Sequence, residues 1–182
     1  MKERYFSTFQ LILLALFSAL VVVAKIALRL PLQLSGHSGI FWMAIIIVGA
    51  KVVPKPGAAS VIGITSGLLA GFLGLGDFGA LNTFLSYAII GVVSDLVLWL
   101  LGGDPEILIV AILVGILGHL AKFVVKWLFG ILSGVPIGFI AIGLIRSIVG
   151  YIVFGAIGGF LGWLTLKALR RAGFFAYLAE KR

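Results

Sequence analysis

Long apolar runs, broken by short clusters of Gly, Pro and charged residues, make up almost the whole chain. They fall near 6–30, 38–53, 57–75, 80–101, 106–131 and 140–169. A helix needs about 20 apolar residues to cross a hydrocarbon core of roughly 30 Å. Six such spans with short connections use nearly all 182 residues. The runs are unbroken rather than alternating, which is the pattern of helices and not of outer-membrane strands. The pattern predicts an all-α membrane protein, a six-transmembrane-helix bundle forming one domain over 1–173, with a basic and aromatic tail over 174–182. The second run is the shortest, its start marked only by Ser35-Gly36-His37-Ser38-Gly39. The first follows Lys2 and Arg4 as a signal peptide would, but it is too long and lacks a small-residue cleavage pattern, so it reads as a retained span.

Composition agrees. The chain is 62% hydrophobic and 11% charged, with a mean hydropathy of +1.27, well outside the range of water-soluble domains. The absence of cysteine removes disulfides, thiolate catalysis and Cys-ligated metals, and two histidines make a poor metal set, so neither a metal nor a cofactor is expected. In a soluble protein a net charge of +8 would point to nucleic acid, but here the basic residues cluster at span ends, as membrane topology requires. With both termini inside, Lys2, Arg4, Lys51, Lys55, Lys167, Arg170, Arg171, Lys181 and Arg182 lie on the cytoplasmic side, nine of the fourteen Lys and Arg. The positive-inside rule therefore predicts an N-in, C-in, multi-pass protein of the cell membrane. Phe174-Phe175-Ala176-Tyr177 among these bases reads as an anchor at the lipid headgroups.

Local signals refine the picture. Asp104-Pro105-Glu106 has the form of a helix start, with Asp104 as cap, Pro105 at the first helical position and Glu106 facing the positive end of the dipole. Small residues recur every four positions at Ala59, Gly63, Gly67 and Gly71, and again as Gly155/Gly159 and Gly158/Gly162. Such stripes let helices approach closely inside the bundle. Ala15 and Ala19 form a similar pair in the first span, available to another protein. Asp95, deep in the fourth span, is expected to pair with an inner base such as Lys167.

Topology leaves five outer basic residues to explain: Lys25, Arg29, Lys122, Lys126 and Arg146. An ionised side chain near hydrocarbon snorkels, pairs or lines a polar cavity. Snorkelling suits Arg29 and Lys126, near span ends, whereas Lys122 and Arg146 lie about two turns inside. His119, Lys122 and Lys126 share one helical face, and the only acid on that side is Asp77. The uncompensated positive field suits an anionic ligand. Candidate pocket residues are His37, Ser38, Asn82, Ser86, Tyr87, His119, Lys122, Lys126, Arg146 and Tyr151, with Trp42 as a stacking surface.

Catalytic signatures are sparse. Walker A, H-E-x-x-H and G-x-G-x-x-G motifs are absent, so uphill transport would draw energy from another subunit or an ion gradient. Gly36-His37-Ser38-Gly39 with His119 has the residue types of a rhomboid-type Ser–His dyad, a third functional class after binding subunit and stand-alone carrier or channel. In rhomboids, however, the serine heads a central helix, and His119 here lacks the glycine pattern that should follow it.

The run Trp42…Val48-Gly49-Ala50-Lys51-Val52-Val53-Pro54-Lys55-Pro56-Gly57-Ala58-Ala59, with Gly67-Leu68-Leu69-Ala70-Gly71-Phe72-Leu73-Gly74 and Leu144-Ile145-Arg146-Ser147-Ile148-Val149-Gly150, resembles a known family. It is similar to the substrate-binding S components of energy-coupling factor (ECF) transporters, nearest the YkoE-like branch linked with thiamine and its hydroxymethylpyrimidine precursor. The resemblance implies a non-enzymatic six-helix bundle that captures a vitamin-like solute in an outer pocket. It also implies partners, a transmembrane coupling subunit and two cytoplasmic ATPases, with Ala15 and Ala19 at the position of the family's small-xxx-small coupling motif. Members of the thiamine branch carry carboxylates in the third span, where this chain has Gly63 and Ala70. A cationic cargo would want those acids, so the expected cargo is anionic or carboxylate-bearing.

Overall fold

The structure, a computed structural model, describes residues 5–27, 35–76 and 78–180. Lys2, Arg4, Arg29, Asp77, Lys181 and Arg182 lie outside the described residues. All regular structure among those described is helical: α1 Thr8–Ala27, α2 Gly39–Val52, α3 Ala58–Phe72, α4 Gly79–Leu100, α5 Leu108–Leu132, α6 Ile137–Arg171 and α7 Phe174–Glu180. The helices break where Gly and Pro remove a donor or permit a left-handed residue, as at Gly57, whose φ of 91° ends the turn before α3.

Four helices, α1, α4, α5 and α6, are long and apolar enough to cross a membrane, while α2 and α3 are shorter apolar helices. At 1.5 Å per residue α2 spans only about 21 Å, against about 52 Å for α6. The shortness follows from position. Helix α2 packs against α1, α3, α5 and α6, with a smaller contact to α4, and 11 of its 14 residues are buried. A helix buried mostly against protein need not match hydrocarbon thickness, and irregular backbone at its end is tolerated where it lines a cavity.

The glycine stripes are contact surfaces, as the spacing predicts. Gly63, Gly67 and Gly71 of α3 lie against the backbone of α4 at Tyr87, Phe84 and Ala80. In α6, Gly155 and Gly159 meet Gly115 and Ala111 of α5, while Gly158 and Gly162 meet Met43 and Ile47 of α2. Ala15 and Ala19 face the other way, on an exposed flank of α1 that also carries Ile12, Leu16 and Leu20.

One end of the bundle is closed by ion pairs. Lys51 at the end of α2 reaches Asp104 at 2.9 Å and Glu106 at 3.1 Å, and Arg170 at the end of α6 pairs with Glu106. The Trp163 indole donates to the Glu106 carbonyl at 2.9 Å, and Lys55 donates to the Tyr5 carbonyl. The expected helix start at Asp104-Pro105-Glu106 is therefore corrected: α5 begins three residues later than Pro105, because Glu106 turns toward Lys51 and Arg170 instead. Asp104 caps only the Glu106 amide, at 3.0 Å. The expected tail is also more structured, with α7 folded back so that Leu178 is buried and Phe174 and Phe175 pack on the core.

Partial burial alone would raise the Asp104 carboxyl, but hydrogen bonds from the Glu106 amide and Lys51, with the charges of Lys51 and Arg170, hold it below its ordinary 3.8. A depressed folded-state value means that its stabilisation is complete above the unfolded-state value and is lost as pH falls through the folded one. The Tm gap between the parent protein and Asp104→Asn is expected to stay constant from neutrality to about pH 5 and to close in stronger acid. A gap that closes between pH 7 and 6 would contradict this ion-pair assignment.

Candidate ligand cavity

The opposite end of the bundle is open. A cavity of about 900 Å³ lies among the ends of the six longer helices, within the usual size range of small-molecule sites. Its walls come from Lys25 of α1, the turn Ser35–Ser38, Asn82, Thr83, Ser86 and Tyr87 of α4, and Gly143, Leu144, Ser147 and Tyr151 of α6. Helix α5 contributes His119, Lys122, Phe123, Lys126 and Trp127, spaced at i, i+3, i+4, i+7 and i+8 and therefore on one face.

The turn before α2 is held tightly. Gly36 has a φ of 89°, and a Cβ there would meet the α6 backbone at Tyr151 and Gly150 at 3.2–3.3 Å. The Ser35 and Ser147 hydroxyls lie 3.2 Å apart and tie the same turn to α6. Gly39 has no Cβ because the His119 imidazole occupies that space, 2.3 Å from where a Cβ would sit.

An aromatic cluster forms the base. Trp42, His119 and Tyr87 are 0%, 1% and 2% exposed. The His119 ring meets Trp42 edge-on at 5.2 Å and Tyr151 at 4.6 Å, and Trp42 meets Tyr87 at 5.6 Å. His119 Nδ1 lies 3.1 Å from the Tyr151 carbonyl, and because a carbonyl only accepts, that nitrogen carries the proton. The Lys122 ammonium stands 4.5 Å from the centre of the Trp42 ring and 5.0 Å from that of Tyr87.

Four buried polar atoms beside this cluster find no hydrogen-bond partner among the described residues: Trp42 Nε1, Asn82 Nδ2, Tyr87 OH and Trp127 Nε1. All four can donate, and a buried donor left unmet costs about 1–3 kcal/mol. Native proteins meet such groups with ordered water or a ligand. Three ammonium groups, on Lys25, Lys122 and Lys126, line the cavity, and no carboxylate does among the described residues. The chemistry offered is that of positive charge plus surplus donors, suited to a guest rich in acceptors.

The structure brings His37, Ser38, Asn82, Ser86, Tyr87, His119, Lys122, Lys126 and Tyr151 to one cavity. Trp42 stands behind the lining and contributes through its ring contacts. Arg146 does not join them. Gly143, Leu144, Ser147 and Tyr151 face the cavity, whereas Arg146, about 100° round the helix from Ser147, lies exposed with Ile142, Ile145 and Val149. Ser38 and His119 both line the cavity with no hydrogen bond between them.

Phe123, Trp127, Thr83, Ser35 and Ser147 are lining residues that sequence reasoning missed. The signal was available for two of them, since Phe123 and Trp127 continue the helical face of His119. Asp95 is corrected as well. Its carboxylate accepts from the Ala59 and Ser60 amides at 3.2 and 2.7 Å and from the Ser60 hydroxyl at 2.6 Å, while Lys167 lies over the Trp163 ring at 4.2 Å. No protein-family model, curated protein or solved structure matches the chain.

Proposed function

We propose that this chain is the substrate-binding S component of an ECF-type importer. On this reading it crosses the cell membrane six times with both termini in the cytoplasm. It captures an anionic or carboxylate-bearing vitamin or vitamin precursor from outside, and a coupling subunit with two ATPases drives uptake. The observation that carries the reading is the open cavity, lined by Lys25, Lys122 and Lys126 beside four unmet donors, at the end of the bundle away from the basic, ion-paired one. The exposed flank of α1 at Ala15 and Ala19 supports it, because small residues there leave room for a partner helix at close range.

The mechanism is binding without bond-breaking. A solute entering from outside leaves water for a cavity walled by aromatic rings, and its acceptors satisfy donors that are otherwise unmet. Its negative charge is drawn to the ammonium groups of Lys25, Lys122 and Lys126 along the wall, where low permittivity strengthens the attraction. The energy for release inward comes from ATP spent by the partners.

Thermal unfolding across a panel of vitamins and precursors tests the cargo, since a ligand at a hundredfold over its Kd adds about 2.7 kcal/mol. Anions and carboxylates are expected to stabilise the protein. Stabilisation by cations alone would overturn the charge argument. Lys122→Gln is expected to weaken the stabilising anion by roughly 10- to 100-fold, the range of one charge-assisted contact, whereas Arg146→Gln binds like the parent because Arg146 lies off the cavity. Purification from native membranes is expected to bring ATPases and a coupling subunit with it, and repeated isolation of the chain alone would favour a stand-alone carrier.

A further inference from the structure

We infer that Asn82 is a specificity-determining residue of the cavity: its side-chain amide donates to a neutral acceptor on the guest, a ring nitrogen or a carbonyl oxygen, and so selects heterocyclic solutes over hydrocarbon rings of the same shape and charge. This names a substrate class for the cavity and rests on reading it as a ligand site.

The start of α4 divides into faces. Ala80, Phe84 and Tyr87 meet the glycine stripe of α3. Asn82 lies about 200° round the helix from Ala80 and from Phe84, turned away from α3. Leu81 and Leu85 are exposed, whereas Asn82, Thr83 and Ser86 are buried along the cavity wall. Polar side chains inside a membrane bundle face cavities or pathways, because hydrocarbon offers them no partner. A leucine of nearly the same size at position 82 would fill the space without that cost.

These residues differ in what they have left to give. The Thr83 hydroxyl donates to the Gly79 carbonyl at 2.9 Å, so its proton is used within α4. Asn82 is 5% exposed, and its Nδ2 has no hydrogen-bond partner among the described residues. That nitrogen carries two protons and no charge, so it asks for an acceptor whatever the net charge of the guest. Turning the amide about the last side-chain bond, whose torsion is broad and roughly two-fold, aims it into the cavity without disturbing the helix. Tyr87 and Trp127 line the same cavity and hold unmet donors of their own, so a guest with acceptors at several points gains at each. A guest with carbon opposite Asn82 leaves the amide unmet and shut off from water. A site built to hydrogen-bond its ligand rejects analogues in this way.

The test uses two pairs of probes whose members differ only by a ring nitrogen in place of a C–H: pyridine-3-carboxylate with benzoate, and pyridin-3-ylmethanol with benzyl alcohol. Each is titrated into the full-length protein in lipid nanodiscs and read by Tm and by tryptophan fluorescence. The parent is expected to bind the nitrogen-bearing member of each pair roughly tenfold more tightly, the scale of one hydrogen bond to an otherwise unmet buried donor. Asn82→Leu keeps the size of the side chain and removes the donor, so the two members of each pair should bind alike. The ratio within a pair is the readout, because a residue serving only the fold would change both affinities together and leave their ratio alone.

A folded Asn82→Leu protein that keeps the parent's preference for nitrogen overturns the proposal. If Asn82→Leu does not fold, Asn82→Met, with a flexible side chain and no donor, carries the same expectation. A parent that shows no preference within either pair, or binds none of the four probes, overturns it without any variant. Failure of the anionic-cargo reading looks different: the alcohols bind as tightly as the carboxylates while the nitrogen preference persists, which leaves the role of Asn82 standing.

Discussion

Asp95→Ala is expected to cost about 3 kcal/mol of stability, because it strips the cap from a helix inside the bundle. The Asp95 carboxylate of α4 accepts from the Ala59 and Ser60 amides and the Ser60 hydroxyl at the start of α3. The residue at the cap position of α3 is Gly57, which has no side chain to offer, so the service comes from the neighbouring helix. A carboxylate at that place also faces the positive end of the α3 dipole. Alanine leaves two amides unmet where water has little access, and each such group costs about 1–3 kcal/mol. Asp95→Asn keeps one acceptor and the shape, so it should cost about 1 kcal/mol. Denaturant titration in micelles gives the difference, and hydrogen exchange at Ala59 and Ser60 should accelerate in the alanine variant alone. An alanine variant within 0.5 kcal/mol of the parent would show that the cap carries no stability.

That cap illustrates which information the sequence holds and which it lacks. Apolar run length and Gly/Pro breaks locate every long helix to within a few residues, because hydrocarbon thickness and backbone hydrogen bonding leave few alternatives. Four-residue glycine spacing identifies the tight faces of α3 and α6, since only a missing Cβ allows backbone contact. The His119, Lys122 and Lys126 face is legible from α5 alone, for periodicity within one helix is a local property. Asp95 is different. Its partners lie 35 and 36 positions away, and charge alone favours a cation such as Lys167 over two backbone amides.

Rotation of a helix about its axis is similarly hidden. Arg146 sits at the depth expected for a pocket residue, yet one step along the helix separates it from Ser147, which does face the cavity. Depth is written in the run length, whereas azimuth depends on which neighbours the helix packs against. For α6 those neighbours are α2 and α5, and Gly155, Gly158, Gly159 and Gly162 together point Tyr151 inward and Arg146 outward. The same packing explains the short α2. Its length reflects a central place among other helices, and no hydropathy profile distinguishes lipid from apolar protein as a neighbour.

Gly115→Ala carries the last and largest packing expectation: a loss of about 3 kcal/mol together with weakened capture of any cavity ligand. A Cβ at Gly115 would lie 2.2 Å from the Gly155 carbonyl oxygen, 2.9 Å from the Gly159 nitrogen and 3.0 Å from the Gly159 Cα. All three are backbone atoms, which cannot rotate away as a side chain could, so α5 and α6 must separate. In lipid the association of helices rests on van der Waals contact, which fades over a fraction of an ångström. The damage also travels one turn along both helices. His119 follows Gly115 on the same α5 face, and its Nδ1 bridges 3.1 Å to the Tyr151 carbonyl of α6. Separation of the helices stretches that bond and opens the aromatic base on which Lys122 rests. The control is Gly138→Ala, at the free start of α6, where a new Cβ meets nothing within 4 Å. There the better helix propensity of alanine should add about 0.5–1 kcal/mol. Opposite signs at the two glycines separate close approach from propensity, and a Gly115→Ala protein as stable as the parent would show that α5 and α6 do not depend on backbone contact.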